Sequence, residues 1–550
     1  MAAQSSSHDA IIVGAGHNGL VTGIYLAQAG WNPLVVERNA EVGGAIRSDE
    51  LTESGFVHDT YSTNQNLFMG SQVYADSAEE LATHGLKFEF TSTPFCNVFP
   101  DGTSLRVYAD EKRTFEELRN HHQADEAGWK ELYGKFGRFV TTLLPVYDEA
   151  LPSAGAARVL AKALREEGPS GVAELGQVVL NSPRELADTY LQTEEAKVLI
   201  ASWGLHLDFG PDVSGGAMIP FIETFSAMGE GMAICKGGAS NLSNALARLC
   251  EEFGGEVRTD AEVSRVIVRS GRAVGVEFAS GERYGARRAV VANLSPSVLF
   301  ERLIDDAALD DEVRSLAEGF EHGPGTMMIH LSMDELPPWE AGEDLNEFMY
   351  VHIAPYVSDL AETYTDALNG RIPESPLTVV GQTTAVDPSR TPNDEHILWI
   401  QVRALPAEIE GDAADEISAT NWAGANEAVA DRVLDKVERY APGFRDLIRE
   451  RVVLGPNDLE ASNPNLVGGD NNGGSHHLRQ NFLWRPFPGY SRYEMPIDGL
   501  YMVGAGTWPG GGNNATSGYL GAQQILEPDL RHRATTTARS VLRGVTGSVI

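Results

Sequence analysis

Three glycines near the start of the chain, Gly14, Gly16 and Gly19, stand in G-x-G-x-x-G spacing directly after the apolar run Ala10, Ile11, Ile12, Val13. Where such spacing joins a strand to a helix, it binds a dinucleotide pyrophosphate. The first glycine allows the tight turn, the second removes a side chain where phosphate approaches, and the third lets helix and strand pack closely. Leu20, Ile24, Leu26 and Ala27 recur at helical spacing, Gly30 closes the helix, and a second apolar strand, "PLVVE", ends at Glu37. The turn Gly14-Ala15-Gly16-His17-Asn18-Gly19 therefore presents a helix N-terminus, with free N–H groups and a positive dipole end, to an anionic ligand. Glu37, beside Arg38, falls about 20 residues further on, where a carboxylate accepts both ribose hydroxyls and disfavours a 2′-phosphate.

The tetrapeptide V-G-A-G of Val13–Gly16 recurs at Val503–Gly506, in "GLYMVGAGTWPGGGNNATSGYLG". The second copy lacks the fingerprint: Pro509 stands where the third glycine belongs, and the next helix is expected only around Ser517–Leu526. The two copies are expected to meet on one nucleotide. A two-nucleotide reductase is disfavoured, because no other G-x-G-x-x-G occurs in a strand–helix context. No Ser–His–Asp or paired-carboxylate pattern is evident, and His476-His477 have no partner at metal-ligand spacing, so no metal is expected.

At 550 residues the chain is expected to hold two domains or more. Its 78 acidic and 42 basic residues give a net charge of −36, which excludes nucleic acid as a partner but leaves peripheral contact of apolar patches with a membrane open. No run is long enough to span a bilayer. Three cysteines and a polar start, Met1–His8, suit a reducing, cytoplasmic setting. A helix with Leu242, Ala245, Leu246 and Leu249, then a β-meander through Val263, returns to a buried strand at "RRAVVANLSP". These pieces imply an α/β, Rossmann-type dinucleotide domain of 1–75, 234–300 and 495–526. An inserted α+β substrate domain of 76–233 and 301–494, with the first insert mostly helical, and a tail of 527–550 complete the expected division. The Asn- and Gly-rich loop Ser462–Tyr490, with Phe482, Trp484, Phe487 and Tyr490, is read as a wall of the site.

Gly43-Gly44, followed by Ala45, extend the fingerprint in a way that resembles FAD proteins of the glutathione-reductase and amine-oxidase type, in which a Gly pair passes the pyrophosphate. Arg47 could add a cation there. Over nearly its whole length the chain resembles the phytoene-desaturase-like FAD oxidoreductases. The matching stretches are "VGAGHNGLV", "VVERNAEVGGA", "ICKGGASNLSNALA", "DPSRTPNDEHIL" and "RPFPGYSRYEMPIDGLYMVGAGTWPGGG". The likeness is to the branch with pyridine nucleotide-disulfide oxidoreductase domain-containing and desaturase-type β-carotene ketolase members.

That resemblance implies noncovalent FAD and hydride transfer from a bound substrate, followed by reoxidation by oxygen, a quinone or another acceptor. It places the backbone at Val263 by the adenine. Gly504, Ala505, Gly506, Gly511, Gly512 and Asn513 fall beside the flavin, and the following helix points its N-terminus at the ring. It brings "HDTYSTNQN" to the substrate side, so His58, Tyr61 and Trp508 become candidate catalytic residues, and Tyr61, Thr63, Trp484 and Asn514 candidate substrate contacts. The resemblance suggests an isoprenoid- or carotenoid-like lipophile as substrate. The polar "NNATSGY" after the glycine run departs from the branch and raises a smaller, partly polar alcohol or amine. Redox-neutral polyene isomerisation and a flavin-bound interaction protein are the remaining alternatives.

Overall fold

The computed structural model describes residues 7–527, so the expected tail lies, but for Glu527, outside the described residues. Two seven-stranded sheets organise the chain. In the first, the strands run in the order Val263–Arg269, Arg272–Phe278, Arg283–Ala292, Ser7–Val13, Pro33–Val36, Glu256–Arg258, and Leu500–Met502 pairs with Arg283–Ala292. Successive side chains of a strand face opposite sides of its sheet. Ile12 joins a cluster with Leu20, Ile24, Leu246, Leu249 and Leu520 from three helices. Ile11 and Val13 join another with Leu34, Val276, Phe278 and Phe300. Burial on both faces is why "AIIV" reads as a continuous apolar run rather than an alternating one. The helices are His17–Gln28, Ser240–Glu252 and Thr516–Leu526.

The second sheet runs Ile448–Leu454, Gly325–Met333, His396–Leu405, Leu377–Gly381, Tyr350–Ile353, Phe95–Val98, Ser104–Val107. All its pairings are antiparallel except Tyr350–Ile353 beside Phe95–Val98. Trp129, Phe221, Phe225 and Trp203 belong to a cluster that covers one face. Helix Trp422–Tyr440 covers the other through Val429, Val433 and Val437. The expectation of a mostly helical 76–233 missed Phe88–Thr91, Phe95–Val98 and Ser104–Val107. Each is only four residues long, too short for a clear period, although Pro100-Asp101-Gly102 marked the hairpin turn. Helix Gln72–Thr83 runs through position 75, and its Val73 and Leu81 pack with Leu242 and Leu246 beneath the first sheet.

A buried polar knot joins three stretches quoted above. Arg390 Nη1 lies 2.8 Å from Asp59 Oδ2, with both side chains fully excluded from solvent. The same guanidinium donates to Asp387 Oδ2 and to Cys235 O. Ala239 N donates to Asp59 Oδ1 at 2.7 Å. The motifs "DPSR", "HDTY" and "ICKGGA" are therefore fastened to one another, and their residues settle where the loop Thr60–Asn64 begins.

Candidate active site

The two V-G-A-G copies follow strands that flank the same central strand. Val13 and Met502 are both in register with Ala292, one on each side of the strand Arg283–Ala292. Asn293, the next residue of that central strand, sits between the copies. Its Nδ2 donates to Gly14 O at 3.1 Å and to Gly16 O at 3.4 Å. A Cβ on Gly14 would lie 2.9 Å from Asn293 O, and one on Gly504 would lie 2.6 Å from Asn293 Oδ1. Both glycines have φ near +100°, at +98° and +105°, a region that L side chains avoid. The shared tetrapeptide thus answers one packing demand, a close approach of two strand ends to a single asparagine.

These ends open into a cavity of about 490 Å³ lined by Gly14, Gly16, His17, Asn18, Glu37, Arg38, Gly44, Ala45, Val263, Gly504, Ala505 and Gly506, among others. Its residues suit a dinucleotide. Helix His17–Gln28 has Gly16 as its N-cap, no side-chain cap and no acid in its first turn. Its first N–H groups are thereby left for an anion. Glu37 is held by Ala15 N and Asn39 N, each at 3.0 Å to a different carboxylate oxygen, which fixes the carboxylate at the cavity wall. Burial pushes the His17 imidazole down to about 4, so it faces the cavity neutral. Ala15, Gly19 and Gly43 support this wall without lining it. Gly43 N donates to Ala15 O at 3.0 Å, and a Cβ on Gly19 would lie 2.2 Å from Gly14 O. Arg47 lines neither this cavity nor the next; it pairs with Asp49 at 2.9 Å.

A second cavity of about 140 Å³ shares Ala45 and Asn471 with the first. Tyr61, Thr63, Gly512 and Asn513 line it, together with Trp203, His206, Glu223, Tyr350, Trp399 and Arg403. Tyr61 OH is bonded to Ser462 Oγ, and its carbonyl accepts from Trp399 Nε1 at 3.0 Å. Tyr350 and Trp399 stack with centroids 5.6 Å apart. Asn513 Nδ2 donates to Asn64 O, and Asn513 lines this second cavity and not the first.

Other nominated residues stand elsewhere. Trp508 is fully buried, stacks near Tyr147 and Phe482, and donates Nε1 to Glu149 O at 3.0 Å. His58 is buried against His330 and bonded to Thr52 Oγ1. Trp484 is on the surface, and Asn514 Oδ1 caps Thr516 N at 2.9 Å. Gly511 N donates to His476 Nε2. Two of the first N–H groups of helix Thr516–Leu526 already have acceptors: Asn514 Oδ1 takes that of Thr516 and Asn18 Oδ1 takes that of Gly518, each at 2.9 Å. The loop after Ser462 does line both cavities, through Asn463–Leu466, Asn471, Asn472 and Gly473 rather than through its aromatic residues. Arg485, fully buried, clamps this loop to the second glycine copy by donating to Gly473 O, Ser475 O and Ala505 O. Asn293, Arg485, Glu223 and Arg403 were not singled out from sequence. Asn293 lay in the quoted strand end "VANLSP" and Arg485 in "RPFPGY", while Glu223 and Arg403 carried no local signal. Among the described residues no group of three His, Cys, Asp or Glu could hold a metal ion, and no helix is long and apolar enough to cross a membrane.

A parallel-sheet nucleotide cradle opening onto a smaller walled cavity defines a flavin-type oxidoreductase. The family of flavin containing amine oxidoreductases matches residues 19–526, and the chain belongs to it. It is therefore an FAD-dependent oxidoreductase, acting on a small-molecule substrate and an electron acceptor. The chain is 28% identical to the pyridine nucleotide-disulfide oxidoreductase domain-containing protein 2 of Rattus norvegicus, over 96% of this chain and 94% of that one. It is 24% identical to a 4,4'-diapophytoene desaturase of Methylomonas sp, over 91% of each chain. An oxidoreductase structure from Methanosarcina mazei shares the fold, with a TM-score of 0.59 and 17% identity over 94% of this chain and all of that one (100%). The resemblance to phytoene-desaturase-like FAD oxidoreductases stands with these relatives.

Proposed function

We propose that this enzyme removes a hydride from a small, partly polar substrate held in the second cavity. The observation that carries the reading is the composition of that cavity. At about 140 Å³ it falls below the roughly 300–1,000 Å³ of pockets for drug-sized ligands, and it holds the charged side chains Glu223 and Arg403 together with His206 and several amides. A long hydrocarbon polyene would need an extended apolar tunnel and would strand those groups without water. Bound in the larger cavity, FAD supplies the hydride acceptor. The turn Gly14–Gly19 would hold its pyrophosphate, Glu37 its ribose and Val263 its adenine end. Ala45, at the junction of the two cavities, would separate the ring from the substrate wall. Tyr61, Thr63 and the Tyr350–Trp399 stack orient the substrate and exclude water. The stretches 76–233 and 301–494 act together as the substrate domain. The three buried free thiols, Cys96, Cys235 and Cys250, favour a reducing compartment such as the cytoplasm.

The test is anaerobic mixing of the FAD-loaded protein with a panel of small primary amines and alcohols, and separately with acyclic polyenes in detergent. Loss of visible flavin absorbance with members of the first panel supports the reading. Bleaching by polyenes alone overturns it.

A further inference from the structure

The second cavity contains a guanidinium and a carboxyl that, among the described residues, are paired neither with each other nor with any other charged side chain. Arg403 is 7% exposed and makes no ion pair among the described residues. Its Nε donates to Gln401 Oε1 at 2.7 Å and its Nη1 to Asn471 Oδ1 at 2.8 Å, and Nη2 donates to nothing. The carboxylate that contributes most to its surroundings is Asp470, whose oxygens already accept from Gly323 N, Asn472 N and Gly474 N. Trp399, Gln401 and Arg403 alternate along the strand His396–Leu405, so all three side chains face the cavity. Glu223 comes from another element, helix Met218–Glu230, where Ile219 and Glu223 share one face. Among the described residues its carboxyl has no hydrogen-bond or ion-pair partner, and burial pushes it up to about 7.

Buried charges are normally paired, because removal from water costs several kcal/mol per ion. An unpaired, buried guanidinium and an unpaired, half-buried carboxyl in one small cavity are complementary to a ligand that carries both a carboxylate and an amine. We propose, on the reading of the second cavity as the substrate site, that the substrate is a small zwitterion, with a carboxylate bound by Arg403 and an amine bound by Glu223. Arg403, with two donors held by Gln401 and Asn471, keeps Nη2 for a carboxylate oxygen. Glu223 accepts an N–H of the ammonium group and can take its proton, leaving a neutral amine from which a hydride can depart.

The test is binding to the FAD-loaded enzyme under anaerobic conditions, followed by quenching of tryptophan fluorescence, since Trp203 and Trp399 line the cavity. The probes are leucine, 4-methylpentanoate, which lacks its amine, and 3-methylbutylamine, which lacks its carboxylate. Leucine is expected to bind tighter than either. Arg403→Met should weaken leucine and 4-methylpentanoate by roughly 10- to 100-fold and leave 3-methylbutylamine within about twofold. Arg403→Lys should restore part of the carboxylate affinity. Glu223→Gln should weaken leucine and 3-methylbutylamine and spare 4-methylpentanoate. Carboxylate binding that is unchanged in Arg403→Met overturns the proposal, as does failure of all three probes to bind. Loss of bound flavin or a shifted flavin midpoint potential in Arg403→Met, with carboxylate affinity intact, assigns the guanidinium to the cofactor and overturns it too. Failure of zwitterion binding with bleaching by other small amines or alcohols retains the redox reading alone. Selective binding without bleaching sinks the redox reading and supports the charge complementarity.

Discussion

Replacing Gly504 by alanine tests whether Asn293 is the hinge between the two glycine copies. The new methyl would lie 2.6 Å from Asn293 Oδ1, well inside contact distance, and the backbone would keep a φ of +105°. The backbone strain costs about 1–3 kcal/mol. Turning the Asn293 amide aside forfeits its bond to Gly14 O, a further loss of about 1 kcal/mol. The folded protein should therefore be destabilised by about 2–4 kcal/mol, read as a fall in its unfolding free energy in a denaturant titration. Asn293→Ala removes the obstructing oxygen. In that background Gly504→Ala should cost at least about 1 kcal/mol less than in the wild type. Gly14→Ala supplies the control. Its methyl would lie 2.9 Å from the backbone oxygen of Asn293, which no side-chain change removes, so its cost should be the same in both backgrounds. Strict additivity of Gly504→Ala with Asn293→Ala would refute the reasoning, as would equal relief of Gly14→Ala.

The buried knot predicts that Arg390→Ala destabilises the protein by about 3–5 kcal/mol, because Asp59 and Asp387 are left buried without their cation. The pair Asp59→Leu with Arg390→Met should unfold at a higher temperature than Arg390→Ala alone. Glu37→Gln should weaken FAD by about 1.5–3 kcal/mol in a flavin titration and should also lower the melting temperature of the apoprotein, because the N–H of Ala15 or of Asn39 loses its acceptor. Acid should destabilise the fold through its buried imidazoles. Burial lowers His330 from 6.5 to about 4 and lowers His352 as well. The unfolded chain then binds more protons than the folded one below pH 6.5, so the stability contribution is complete above 6.5 and is lost as pH falls towards 4. His330→Phe should flatten that decline in a thermal unfolding series across the same window.

The nucleotide cradle was legible because its parts are neighbours in the chain. The turn Gly14–Gly19, the apolar strand before it and Glu37 at the end of the next strand each impose a residue type at a fixed local spacing. The same locality disqualified Val503–Gly506 as a second cradle, since Pro509 and the missing acid are visible within a few residues. The loop Thr60–Asn64 was placed on the substrate side by resemblance, and Tyr61 and Thr63 do line the smaller cavity. Trp508, His58 and Trp484 were nominated on type and proximity in sequence. An aromatic or imidazole side chain is equally at home in a core, and only packing separates the two uses.

By itself the spacing of residues determined a Rossmann-type domain with one dinucleotide cradle, because steric and hydrogen-bonding demands of a strand–turn–helix are written in consecutive residues, and the choice of FAD rested on resemblance. The tertiary structure alone decided what lies beside that cradle. Asn293 meets both glycine copies only because Arg283–Ala292 lies between the strands that precede them. Glu223 and Arg403 come from a helix and a strand far apart in the chain, and neither position follows a local pattern. Their isolation from other charges, the feature that bears on the substrate, is a property of three-dimensional surroundings that spacing in one dimension does not encode.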